Sequence, residues 1–171
     1  REVRVIRRQV SDTRRITRSS SSSVTLPPPQ NNDRGGGGRG NPDPLAQSFI
    51  IDQADGCYIT SVDAFFSAKS DTIPVRAEIR RMSNGYPTDD VLPFAQKYLN
   101  PGSVNTSTDA STATTFTFPS PVYLQEGTEY CLVLKTDSTD YAAYTARLGD
   151  TVIGSDRTVS KQPALGVLFK S

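Results

Sequence analysis

The chain has 171 residues, 35% hydrophobic and 22% charged, with 12 Gly, 12 Pro, two Cys, one Met, no His and no Trp. That hydrophobic share lies below the roughly 45% of an ordinary globular domain, a reference that also counts Gly, so some stretch lacks the means to bury itself. Without His the commonest general base and metal ligand is missing, and two Cys cannot build a Cys₂His₂ or Cys₄ zinc site. The chain is therefore read as non-enzymatic, with no metal and no cofactor. No apolar run approaches the roughly 18 residues that span a bilayer, so no membrane insertion is expected.

The net charge of +1 is unevenly divided. Residues 1–44 carry nine Arg and no Lys against Glu2, Asp12, Asp33 and Asp43, which gives +5; the rest carry ten Lys or Arg against fourteen Asp or Glu, which gives −4. This describes a basic arm on a mildly acidic domain. The first ten residues include Val3, Val5, Ile6 and Val10 and no aromatic. Such a segment favours a protein partner over nucleic acid, which needs stacking platforms. Val3, Val5 and Ile6 are expected to add a strand or plug to a neighbour. Arg4, Arg7, Arg8, Arg14, Arg15 and Arg18 are expected to pair with acidic groups on it. The sequence opens on Arg1 with no apolar signal core, and reads as part of something longer.

In chain order, residues 1–18 mix β-branched residues with Arg and predict an edge strand within the arm. Residues 19–44 are low complexity: fifteen of the 26 are Ser, Gly or Pro, which predicts a linker with polyproline geometry between flexible ends. Fixing a backbone costs about 1–2 kcal/mol per residue. The side chains of this leading quarter cannot offset that, so its order is expected to come from neighbouring chains in a large assembly.

From residue 45 the texture becomes short alternating runs, predicting strands at 46–51, 58–68, 74–82, 94–99, 113–118, 129–136, 141–147, 151–153 and 164–169. Val75, Ala77 and Ile79 alternate with Arg76, Glu78 and Arg80, a strand with one buried and one wet face. Turns are expected at Asp55-Gly56, Asn84-Gly85, Asn100-Pro101-Gly102, Glu126-Gly127 and Leu148-Gly149. No window carries a helical stripe. The reading is an all-β, antiparallel, jelly-roll-like β-sandwich over 45–171, preceded by the 1–18 arm and the 19–44 linker. The last predicted strand ends two residues before Ser171, which suggests a closing strand beyond it or donated by a neighbour.

Candidate chemistry is sparse. Gly35 to Gly40 lacks the Lys-Ser/Thr ending of a phosphate loop and reads as linker. Cys57 and Cys131 fall in separate strands; a disulfide, two buried thiols and a reactive cysteine are all open, and buried thiols are favoured. The acidic pairs Asp52/Asp55, Asp89/Asp90 and Asp137/Asp140 follow no calcium-loop spacing and read as turn solvation. Asn105-Thr106-Ser107 is an incidental glycosylation triplet. Residues 103–117 hold nine Ser or Thr and read as a structural loop, with presentation of hydroxyls to a glycan as the rival. Tyr86, Tyr98, Tyr123, Tyr141 and Tyr144 could serve that rival as a platform in place of Trp, although tyrosines in strands more often face a core or an interface.

Five stretches in order carry a resemblance: Asp43 to Phe49, Ile59 to Asp63, Asn84-Gly85-Tyr86-Pro87, Ser120 to Leu124, and Glu129-Tyr130-Cys131. Together they resemble a β-sandwich domain that recurs in large structural proteins of contractile-tailed phages, cyanophages especially. The resemblance covers most of residues 43–169. It implies a virion component of the tail baseplate or fibre-attachment region, assembled in the host cytoplasm with other tail proteins as partners. It implies no catalytic residues. Host glycan is the alternative partner.

Overall fold

The computed structural model describes residues 12–15, 44–160 and 166–170, with residues 12–15 and 170 described by their backbone. Val3, Arg4, Val5, Ile6, Arg7, Arg8 and Arg18 lie outside the described residues, as does the linker to residue 43. Nine strands are described: β1 (Asp12–Arg15), β2 (Leu45–Ile50), β3 (Cys57–Ala68), β4 (Val75–Ser83), β5 (Tyr86–Leu99), β6 (Ala113–Leu124), β7 (Glu129–Thr136), β8 (Ala142–Thr145) and β9 (Leu168–Lys170). They form two sheets, β1-β8-β3-β6 and β5-β4-β7-β2-β9.

The pairing explains the layout. β1 pairs with β8, β2 with β7, β3 with β6 and β4 with β5, all antiparallel. This is one long ribbon doubled on itself and wound so that successive pairs fall in opposite sheets, the path of a jelly roll. The far end of the ribbon is the β4–β5 hairpin. Its turn residues Asn84 and Gly85 have φ of 51° and 79°, which is what a two-residue type I′ turn demands. β9 is added outside β2.

Inward positions of both sheets meet in two joined clusters. One centres on Phe66, Phe116, Tyr141, Val75 and Leu134; the other on Ile79, Phe118, Leu124, Tyr130 and Leu92. Val62 and Leu132 touch both. A register shift between Ile59 and Ser61 changes which residues of β3 point inward, from Cys57 and Ile59 to Val62, Ala64 and Phe66. Such a bulge lets a long strand keep its apolar side on the core while the sheet twists.

β5 and β6 are longer than the sequence suggests: the strands expected at 94–99 and 113–118 run over Tyr86–Leu99 and Ala113–Leu124 and include Pro87, Pro93, Pro119 and Pro121. Both strands lie at sheet edges, where a missing N–H is tolerated. The predicted strand at 151–153 is reduced to an isolated bridge between Thr151 and Thr158. In the predicted strand at 164–169, residues up to 165 lie outside the described residues, and β9 occupies Leu168–Lys170.

One expectation needs correction. Val75, Ala77 and Ile79 are fully buried as foreseen, but the opposite side of β4 is not wet. Glu78 is 1% exposed and Arg80 9%. Arg80 is the register partner of Cys131 and Glu78 of Val133, both buried residues of the central strand β7. Residues 12–15 of the arm pair along β8 of the same chain.

Candidate functional site

Three surfaces gather the side chains that could carry function. The first is the β8 edge. β8 is only four residues long, yet it is fixed from behind by Phe66↔Ala143 and Ala68↔Ala142 pairing with β3. The Tyr141 hydroxyl donates to Ile73 O at 2.6 Å and the Tyr144 hydroxyl to Ser107 O at 2.7 Å. Ala142 and Ala143 are buried. On its free side β8 receives β1 in the register Asp12↔Thr145, Thr13↔Tyr144, Arg14↔Ala143 and Arg15↔Ala142. Of the nine arm residues singled out by sequence, the structure therefore places Arg14 and Arg15 on a sandwich edge.

The second surface is the outer side of β3 and β6. Tyr58 and Tyr123 are register partners, 69% and 47% exposed, with ring centroids 5.2 Å apart and planes at 53°. The Tyr123 hydroxyl donates to Asp55 O, and Asp55 N donates to a Glu126 carboxylate oxygen. Further along the same side Thr115 Oγ1 donates to Asp63 Oδ1 at 2.5 Å. Of the tyrosines offered for a platform, Tyr86, Tyr98 and Tyr123 are exposed, Tyr141 is fully buried and Tyr144 is half-buried. Tyr58 was missed; its cross-strand alignment with Tyr123 could be found only from the register.

The third is the outer side of β4. Glu78 accepts from Arg80 Nε at 2.8 Å and from Gln96 Nε2 at 2.8 Å, and pairs with Arg80 Nη2 at 2.6 Å. Arg76 Nε lies 2.7 Å from Glu78 Oε1 but its N–H is not aligned on that oxygen, so this contact is ionic without a hydrogen bond. Arg76 also donates to the Tyr98 hydroxyl and lies 5.5 Å from its ring centroid. Asp89 and Asp90 are engaged with Arg80 and Arg81. The cluster is internally matched, so it rigidifies the sheet and leaves little free charge for a ligand.

The Ser/Thr loop is held by internal hydrogen bonds. Lys69 Nζ donates to Pro101 O at 2.8 Å and Val104 O at 2.7 Å, and Asn105 Nδ2 donates to Ala113 O. Val104, Ala110 and Thr114 are buried beneath it. Among the described residues no cluster of three or more His, Cys, Asp or Glu could hold a metal ion.

Both cysteines are free. Cys131 is fully buried against Ala46 and Val133. Burial pushes its thiol up from 9.0 to about 12; Arg80 partly offsets this and Glu129 adds to it. The unfolded chain thus releases this proton at lower pH than the folded chain. The thiol's contribution to stability is intact below about pH 9 and is lost as pH rises toward 12. Cys57 and Tyr141, also raised by burial, act in the same sense. Thermal melts across this alkaline interval should fall less steeply for Cys131→Ala than for the parent, and parallel curves would rule the thiol out as a contributor.

No family model, no curated protein and no solved structure matches this chain.

Proposed function

We propose that the chain is a structural component of a contractile phage tail, in the baseplate or fibre-attachment region, that assembles through its arm and its sandwich. The observation that carries the assembly part is the strand Asp12–Arg15 lying along β8: part of the basic arm works by adding a strand to a jelly-roll edge. Backbone hydrogen bonds of that kind supply affinity with little demand on sequence. The Arg residues on either side, Arg4, Arg7, Arg8 and Arg18, supply charge for an acidic neighbour. The tail location rests on the five sequence stretches that resemble the tail β-sandwich.

The test uses the full chain, epitope-tagged and produced in its natural host. Tail particles purified from that host should contain it. Replacing Arg4, Arg7, Arg8 and Arg18 by Glu, which leaves β1 in place, should lower its incorporation several-fold. Absence of the tagged chain from purified particles would sink the tail reading, and unchanged incorporation of the Glu variant would sink the role of the arm charges.

The Tyr58/Tyr123 pair favours one second reading, a glycan-binding sandwich. Exposed aromatic rings, with the Asp63 and Thr115 polar groups further along the same side, are what a sugar's apolar face and hydroxyls require. Glycan-array binding abolished by Tyr58→Ala would support it; an empty array would leave assembly alone.

A further inference from the structure

We infer that the β8 edge is an exchangeable slot, and that β1 of a second copy of this chain occupies it in the assembled state. This deepens the assembly reading and rests on it only in treating the arm as the assembling element; the virion location plays no part.

The slot is preformed. β8 is secured by β3 pairing and by the Tyr141 and Tyr144 hydroxyls, none of which involves β1. Without β1 its free side is a row of unpaired backbone groups, an edge that invites a strand. The occupant is short, four residues in four register pairs, so little surface has to be released for it to leave. β1 is also the only described strand joined to the rest through a long low-complexity stretch: residues 16–43 number 28 between it and the residues that lead into β2. Extended, 28 residues reach at most about 95 Å, against a radius of gyration of about 14 Å for a domain of this size. The tether therefore permits the strand to serve its own sandwich or a neighbour's.

Charge and register select the occupant. The segment that holds β1 carries +5 and the remainder −4, so the arm of one copy is attracted to the sandwich of another. A second copy's Asp12–Arg15 makes the same four register pairs on β8, so exchange sacrifices no contact. A closed set of copies, each giving and receiving one strand, then has the same strand pairing as isolated copies. It also gains whatever contacts the neighbours make, which is the usual logic of domain swapping. At low concentration the tether favours the chain's own slot, and at the high local concentration of an assembly exchange takes over.

The test places Asp12→Cys on one tagged batch of the full chain and Thr145→Cys on a second batch with a different tag, both in a Cys57→Ser background. Cross-strand partners bring their Cα atoms to about 4.5–5.5 Å, within disulfide range. The batches are unfolded together, refolded at several concentrations and oxidised with oxidised glutathione. The expected result is a dimer carrying both tags, linked through positions 12 and 145 by peptide mapping, whose share rises with concentration toward about half. A chain carrying both Cys is the control. Intrachain linkage of the control at every concentration, with no mixed dimer, would overturn exchange. So would the absence of any 12–145 linkage. Either result, alongside normal incorporation of the tagged chain into particles, removes exchange and leaves the tail reading; exchange without incorporation does the reverse.

Discussion

Glu78→Ala is expected to cost about 3–5 kcal/mol of folding stability, because it leaves a buried arginine without its principal partner. Glu78 is 1% exposed and holds Arg80 through two contacts, at 2.8 Å and 2.6 Å. Gln96 loses its acceptor in the same stroke, and Arg76 loses its ion pair. Arg80 keeps the Thr88 carbonyl at 3.3 Å and Asp89 at 3.0 Å, but Asp89 is fully exposed and cannot follow it inward. The cost is therefore that of a stranded charge. The double variant Glu78→Leu with Arg80→Met separates this from loss of packing: removing both partners should recover most of the stability, since a desolvated ion pair gains little over well-packed apolar groups. Urea denaturation with an unchanged slope checks both. A double variant as unstable as the single one would show that the two side chains hold β4 by shape rather than by charge.

That cluster also marks what the sequence makes legible. β7 is read residue for residue at 129–136, since Tyr130, Leu132 and Leu134 alternate cleanly and no Pro intervenes. β2 is read to within one residue. The turns at Asp55-Gly56, Asn84-Gly85 and Glu126-Gly127 fall where positive φ is needed. Periodicity tells which residues share a side of a strand, but not whether the strand is central or at an edge. For that reason Glu78 and Arg80 read as solvated. The pattern Arg76-x-Glu78-x-Arg80, a carboxylate between two guanidiniums on one side of a strand, was the available signal for the buried network. The edge strand at residues 12–15 was legible from β-branched residues mixed with Arg. Its partner was not, because β8 is a four-residue strand some 130 positions away and register leaves no local trace. The same holds for Tyr58 and Tyr123, which only the β3–β6 register brings together.

Gly56 is where the sequence's turn chemistry and the aromatic pair meet, and its substitution should be the most damaging of the turn changes. Gly56 adopts φ of 73°, and a Cβ there would fall on the Leu124 carbonyl oxygen and 2.7 Å from the Tyr123 hydroxyl. Leu124 is the register partner of Cys57, the first residue of β3, so the obstructing atom is backbone at the start of the β3–β6 ladder. It cannot swing aside as a side chain would. Left-handed backbone at a non-Gly residue costs about 1–3 kcal/mol, and forcing an extra carbon into filled space costs about as much again. Gly56→Ala should therefore destabilise by about 2–6 kcal/mol. Gly85→Ala supplies the comparison: its φ is 79°, but nothing lies within 4 Å of the added carbon. It should cost only about 1 kcal/mol, the conformational part alone. Losses of equal size in the two variants, read from urea midpoints at equal slope, would mean that the β3–β6 ladder yields to the added carbon. A large excess at Gly56 would mean that the Tyr123 hydroxyl and its bond to Asp55 are held by a rigid backbone. In that case the exposed Tyr58/Tyr123 pair is a preorganised surface, and any partner that meets it need not spend free energy on ordering it.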